Sequence, residues 1–199
     1  MTLKLNGSSS GYTAIDAPAA AGSNTLVLPT TNGSAGQVLK TDGSGNLSWT
    51  DPVDNTPAFT AYMNADQDIA NDTDVIVIFQ AEVYDTDSAY NTSTGEFTVP
   101  SGKAGKYFLS AQIVVDDVDT GYERVEIFPY KNGSRINVMD RSFPVYSANA
   151  NQQCGTSMNA IYDLSAGDVI KIAALQNAGQ QEHLQHEMCF FSMFRLAGV

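Results

Sequence analysis

Basic residues are scarce in this chain. Lysine and arginine number 10 against 22 aspartates and glutamates, a net charge of −12 at pH 7. Most of such a surface repels a phosphate backbone, so no nucleic-acid partner is expected. Cysteine is nearly absent. Cys154 and Cys189 make no disulfide framework, and two buried free thiols are the simpler expectation. No run approaches the about 18 apolar residues of a membrane span. The opening MTLKLNGSSSGYTAIDAP carries one lysine and no apolar signal core. The chain is therefore expected to be made in a reducing cytosol and to leave it, if at all, without a secretory signal. Catalytic motifs are missing as well: there is no GxSxG, no HExxH, no P-loop and no Cys–His pairing implied by spacing. Carboxylates are too common for one acid–base pair to stand out, and no enzyme is expected. Amphipathic helical periods are also lacking, and only 16% of the residues are charged.

What is present is β-pattern and turn chemistry. Residues 1–56 are rich in glycine and serine, with short strand-like pieces between them. Thr25 to Leu28 is one, stopped by Pro29. Gln37 to Lys40 and Asn46 to Thr50 flank TDGSG, which reads as a hairpin with a glycine-rich turn. None of these pieces is long enough to bury a core alone. Leucine, valine and the single tryptophan, Trp49, recur at strand-like spacing. That favours an extended element ordered against partners over a plain spacer.

From Pro57 the strands become dense. In DVIVIFQAEV, Val75, Val77, Phe79, Ala81 and Val83 are expected to share one face. In KYFLSAQIVV, Tyr107, Leu109, Ala111, Ile113 and Val115 do the same. ERVEIFPYKNGSRINV turns back at Asn132-Gly133, and Pro129 within it suggests an edge or a bulge. SMNAIYDL alternates through Met158, Ala160, Tyr162 and Leu164, and SAGDVIKIAAL restarts after Gly167-Asp168. About eight to ten strands with turns between them predict an all-β sandwich or jelly roll. The final strand, read over 188–196, is apolar on both faces. Met188, Phe190, Phe194 and Leu196 lie on one, and Cys189, Phe191 and Met193 on the other. One face fills the core and the other needs a cover, either a second copy of the chain or partial burial by tilt.

YNTSTGEFTVPSGKAGKYFLSA resembles the signature of the C1q/tumour-necrosis-factor-like jelly roll. That family has an aromatic first strand, a tyrosine, Thr-Gly-x-Phe-x-x-Pro and Gly-x-Tyr-x-Phe. The matching residues are Phe59, Tyr90, Thr94, Gly95, Phe97, Pro100, Gly105 and Tyr107. Asn132 before the hairpin glycine, Leu164 with Gly167-Asp168, and the closing FFSMFRLAG also fit. Leu109 departs from the pattern, where phenylalanine is commoner, but still offers the core an apolar side chain. The resemblance spans residues 57–199, and it implies a trimeric β-sandwich knob that binds through its outer loops. Residues 11–49 are similar to segments of tailed-bacteriophage structural proteins, especially fibres of phages of marine cyanobacteria.

Together these resemblances imply a non-enzymatic virion protein assembled in the host cytoplasm. Residues 1–56 would be an extended β/loop anchor on a phage capsid or tail protein, with Leu3, Leu5, Tyr12, Leu26, Leu28 and Trp49 as attachment residues. Residues 57–199 would form the knob of a homotrimer, joined through Met188, Phe190, Phe191, Met193 and Phe194. Two roles fit: a short capsid decoration (cement protein or head fibre), or a tail fibre that reads a host surface glycan. For the second, the irregular stretches 85–94, 147–153 and 177–187 offer asparagine, glutamine and serine, with Tyr84 and Tyr90 as recognition residues. No cofactor is required. Asp116, Asp117 and Asp119, near Glu123, form either a Ca2+ site or a solvated acidic loop. His183 and His186, beside Glu182 and Glu187, form either a metal site or a polar loop.

Overall fold

A computed structural model describes residues 3–116, 124–136 and 153–197. The chain divides into two compact units, Met1–Val53 and Asp54–Val199. Among the described residues no helix is long and apolar enough to cross a membrane.

In the first unit β1 (Leu3–Asn6) pairs with β2 (Tyr12–Ile15), and β3 (Val38–Thr41) with β4 (Leu47–Thr50), both antiparallel. The β3–β4 turn is the TDGSG hairpin. Asp42 organises it: its carboxylate accepts the backbone N–H groups of Ser44 at 2.7 Å and Asn46 at 3.1 Å, and the Asn46 side-chain amide at 2.6 Å. Val27 bridges to Asn46 in parallel. The Trp49 indole N–H donates to the Thr31 carbonyl at 2.8 Å, and its ring lies over Gly33. A Cβ at residue 33 would meet the indole at 2.6 Å, so only glycine admits this packing.

The second unit is a sandwich of two antiparallel sheets. Its strands are β5 (Ala58–Tyr62), β6 (Gln67–Ile69), β7 (Val75–Ile76), β8 (Ala81–Asp85), β9 (Tyr90–Asn91), β10 (Glu96–Thr98) and β11 (Gly105–Asp116). They continue with β12 (Val125–Lys131), β13 (Ser134–Arg135), β14 (Cys154–Leu164), β15 (Val169–Gln176), β16 (Glu182–Leu184) and β17 (Phe190–Arg195). One sheet runs β14, β11, β17, β5, β8; β16 also borders β11, and β6 borders β16. The other runs β13, β12, β15, β10, β9, with β7 also on β15. Between them Phe59, Phe79, Phe97, Tyr107, Leu109, Ile113, Ile127, Ile170 and Phe191 are all at 0% exposure. Period-2 alternation places them there, and Leu109 takes the core position that its spacing predicts.

The turns read from the sequence have physical work to do. Gly95 has φ +70°, and a Cβ on it would sit 2.8 Å from the Val77 carbonyl oxygen. Asn132 and Asp168, separated in sequence, meet in space. The Asn132 amide donates to Asp168 at 2.8 Å, while its oxygen accepts the Val169 N–H at 2.8 Å. Pro129 lies in β12, beside which only the two-residue β13 pairs on the outer side, so it sits at an edge among the described residues.

Five expectations need correction. Phe191 and Met193 are at 0% exposure and pair with Ala111 and Leu109 on one side and Ala61 and Phe59 on the other, all core-facing. Neither is available to a partner; Phe190, Ser192 and Phe194 form the outer face of β17. Met188 lies outside that strand, in a 3-10 turn at His186–Met188, and is 45% exposed. Tyr90 is 6% exposed, because its ring stacks on Phe59 at 4.8 Å and its hydroxyl bonds the Phe79 backbone. Its ring belongs to the core, and only an edge of the residue reaches the cleft at residues 87–100. DVIVIFQAEV is two strands: β7 pairs with β15 in one sheet and β8 with β5 in the other. A register shift opposite Thr60/Ala61 turns Val83 out to 68% exposure. Residues 177–187 contain β16, anchored by buried Leu184 and Glu182, rather than an irregular loop.

Candidate functional site: the outer face of the β14–β11–β17–β5 sheet

Directly paired residues share a face, so the registers define rows across this sheet. One row is Ile161, Phe108, Phe194 and Ala58. The next is Asn159, Ser110, Ser192, Thr60 and Tyr84. The third is Ser157, Gln112, Phe190 and Tyr62. An apolar row and a mixed row that carries Phe190 and Tyr62 thus flank a polar one. Phe108 and Phe194 touch with ring centroids 5.3 Å apart. Ile161 is 59% exposed and Tyr62 42%, while Phe108, Phe190 and Phe194 are half-buried. In the polar row the hydroxyls of Thr60 and Ser192 share a hydrogen bond of 2.9 Å. Gln112 donates to the Met188 carbonyl at 3.0 Å.

These three rows carry no charged side chain; the pair Lys106–Asp163, 3.4 Å apart, lies beyond them. On a chain of net charge −12, an uncharged aromatic face is suited to burial against another apolar surface. Of the residues expected at a trimer interface, Phe190 and Phe194 are on this face, Met188 stands at its margin, and Phe191 and Met193 are behind it. Tyr84 also joins the face, beside Thr60. Sequence reading missed Phe108, Tyr62 and Ile161. The signal was present, because an aromatic residue at 108 interrupts the polar positions 106, 110 and 112 of β11.

A second feature is a polar cleft of about 560 Å³ lined by Asp87, Ser88, Asn91, Glu96 and Thr98 among others. The Asp85 carboxylate fixes its loop by accepting the N–H groups of Asp87 at 3.2 Å and Tyr90 at 2.8 Å. Ser88 takes φ +51° within it. Glu96 is held 2.6 Å from Lys171, which with the Thr94 hydroxyl lowers its pKa.

The other expected ligands are scattered. His186 Nδ1 lies 2.7 Å from Asp66, which also accepts the His186 backbone N–H at 2.9 Å. His183 sits on β16, opposite Asp68 on β6 and Asp116 on β11. Among the described residues no three such side chains gather as a metal site. Asp117, Asp119, Glu123 and residues 147–152 lie outside the described residues. In the first unit the expected attachment residues Leu3, Leu5, Tyr12, Leu26 and Leu28 are exposed at 58% or more, and Trp49 is half-buried.

A model of the C1q domain matches residues 58–196, from the first residue of β5 to one residue past β17. The chain belongs to the C1q domain family. C1q/TNF-like domains are generally non-enzymatic binding or structural domains. Among solved structures, the globular domain of zebrafish complement 1qA is 18% identical, covers 71% of this chain and 98% of its own, and has a TM-score of 0.48. Murine APRIL at pH 5.0 is 16% identical over 70% of this chain and 98% of its own, at 0.48. Eiger TNF from S. frugiperda is 18% identical over 73% of this chain and 96% of its own, at 0.45. No curated protein matches the chain. The C1q match leaves the first unit outside it.

Proposed function

We propose that this chain is a non-enzymatic structural protein of a tailed-bacteriophage virion, a short trimeric capsid decoration or fibre knob attached through its N-terminal unit. The observation that carries the assembly is the uncharged aromatic face of Phe108, Phe194, Phe190, Tyr62 and Ile161. Apolar surface removed from water is worth ~25 cal/mol per Å², and C1q/TNF homologues are typically homotrimeric. Three such faces turned to a threefold axis cover one another. The phage assignment rests on the similarity of residues 11–49 to phage structural segments. Alternatively, the polar cleft between residue 87 and Thr98 favours a receptor-binding role, in which a host surface glycan takes the place of water there.

Two measurements test this reading. Sedimentation of the full chain at micromolar concentration is expected to give a trimer; a stable monomer overturns the assembly. Gold-labelled antibody against the knob is expected to mark intact phage particles. Particles containing the gene but no label overturn the virion role. Label on the capsid supports decoration, and label at the tail supports the fibre.

A further inference from the structure

The cleft between residues 87 and 100 holds polar groups that the fold itself does not use. It encloses about 560 Å³, within the roughly 300–1,000 Å³ that takes a small ligand. Among the described residues its apolar lining is Ala89, Pro100 and an edge of Tyr90. An apolar ligand would find little to bury against there.

The polar groups divide into committed and free. Glu96 is committed: Lys171 lies 2.6 Å from one carboxylate oxygen, and the Thr94 hydroxyl donates to the other at 3.0 Å. Asp87 accepts the Thr86 hydroxyl at 2.7 Å through Oδ2. Among the described residues its Oδ1 takes no hydrogen bond, and no lysine or arginine pairs with it. The Asn91 side-chain oxygen accepts the Ser93 N–H at 2.9 Å, which leaves its Nδ2 as a free donor. Ser88, Thr92 and Thr98 add hydroxyls that can give or accept a proton.

Both free groups are held in place without a ligand. Asp85 accepts the N–H groups of Asp87 and Tyr90, and Asn91 lies on β9 opposite Glu96. Ser88 takes φ +51°, a conformation that a non-glycine residue keeps only where its surroundings fix it. A preformed cleft of this kind loses little order on binding. A charged acceptor and an amide donor lining one cleft match two neighbouring hydroxyls of a sugar. One hydroxyl donates to the carboxylate, and the other accepts from the amide. Charge then selects among sugars. The Asp87 carboxylate is uncompensated on a chain of net charge −12, so it repels sialic and uronic acids.

We propose that this cleft binds a non-acidic hexose unit, with Asp87 and Asn91 reading two adjacent hydroxyls. This deepens the receptor-binding reading above and rests on it.

The test uses the full chain. Saturation-transfer NMR is run with the methyl glycosides of mannose, galactose and glucose, and with N-acetylneuraminic acid. At least one neutral glycoside is expected to receive saturation, and the acid none. Asp87→Asn keeps the shape and removes the charge. It and Asn91→Ala are each expected to weaken binding roughly tenfold, with circular dichroism and sedimentation unchanged. Asn91 is exposed, so its variant tests the site independently of the Asp87 loop. Preference for the acid, or binding unmoved by both variants, overturns this inference and leaves glycan recognition standing. No saturation of any sugar by the folded wild-type chain overturns the receptor-binding reading as well.

Discussion

Asp168 shows how much a single side chain can fix. Its carboxylate lies 2.7 Å from Lys131 Nζ, accepts the Asn132 amide at 2.8 Å, and accepts the Ser165 N–H at 2.7 Å. The Lys131 contact, with Asn132 and Ser165 adding to it, lowers its pKa to about 2. It thereby ties the β12–β13 hairpin to the β14–β15 turn. A depressed carboxylate pKa contributes stability above the unfolded pKa, and that contribution is lost as pH falls through the folded value. Stability should therefore decline between roughly pH 4 and pH 2 as Asp168 is protonated. Asp168→Ala should cost about 1–3 kcal/mol at neutral pH and flatten that acid limb. Denaturant unfolding of both proteins across this pH range measures it; an unchanged acid limb in the variant would show that other carboxylates govern it.

Within one element, β17, parity alone separates a core face from an outer one. Phe191 faces Phe59, Phe79 and Tyr90, with ring centroids 4.9, 5.8 and 5.9 Å away. Phe194, three residues on, faces outward onto Phe108. Phe191→Glu removes a core aromatic and buries a charge, which should cost at least about 4 kcal/mol and leave the protein insoluble or unfolded. Phe194→Glu places its charge on the outer face and should give folded monomers. Circular dichroism with sedimentation distinguishes them. A folded, trimeric Phe194→Glu protein would remove this face from the interface. Strands such as β11 were legible because Tyr107, Leu109, Ala111, Ile113 and Val115 keep strict alternation over a long run. β7 and β8 were not, because an unbroken alternating sequence crosses between two sheets and slips register at a bulge. β16 was hidden for a different reason: three residues are too few to show a period.

At the scale of the whole molecule, the second unit holds its own core of completely buried aromatic and aliphatic side chains. A chain beginning at Asp54 should therefore unfold cooperatively and remain trimeric, yet fail to join particles that lack the full-length protein. Complementation of such particles followed by gel analysis checks this, and normal incorporation would refute attachment through the first unit. The all-β class, the break in character before residue 57 and the C1q-like turns could all be read from residue order. Those features are local: period 2, glycines such as Gly95 at positive φ, and turn residues at fixed offsets. Which face of β17 is core and which points outward became clear only with its neighbours in place. The final strand is apolar on both sides, and parity cannot be assigned until β11 and β5 flank it. The same holds for Tyr90, whose loop-like setting and polar hydroxyl suggested a surface. Stacking on Phe59 and a hydroxyl bonded to the Phe79 backbone place it in the core, because long-range neighbours, not local sequence, settle where a side chain loses its water.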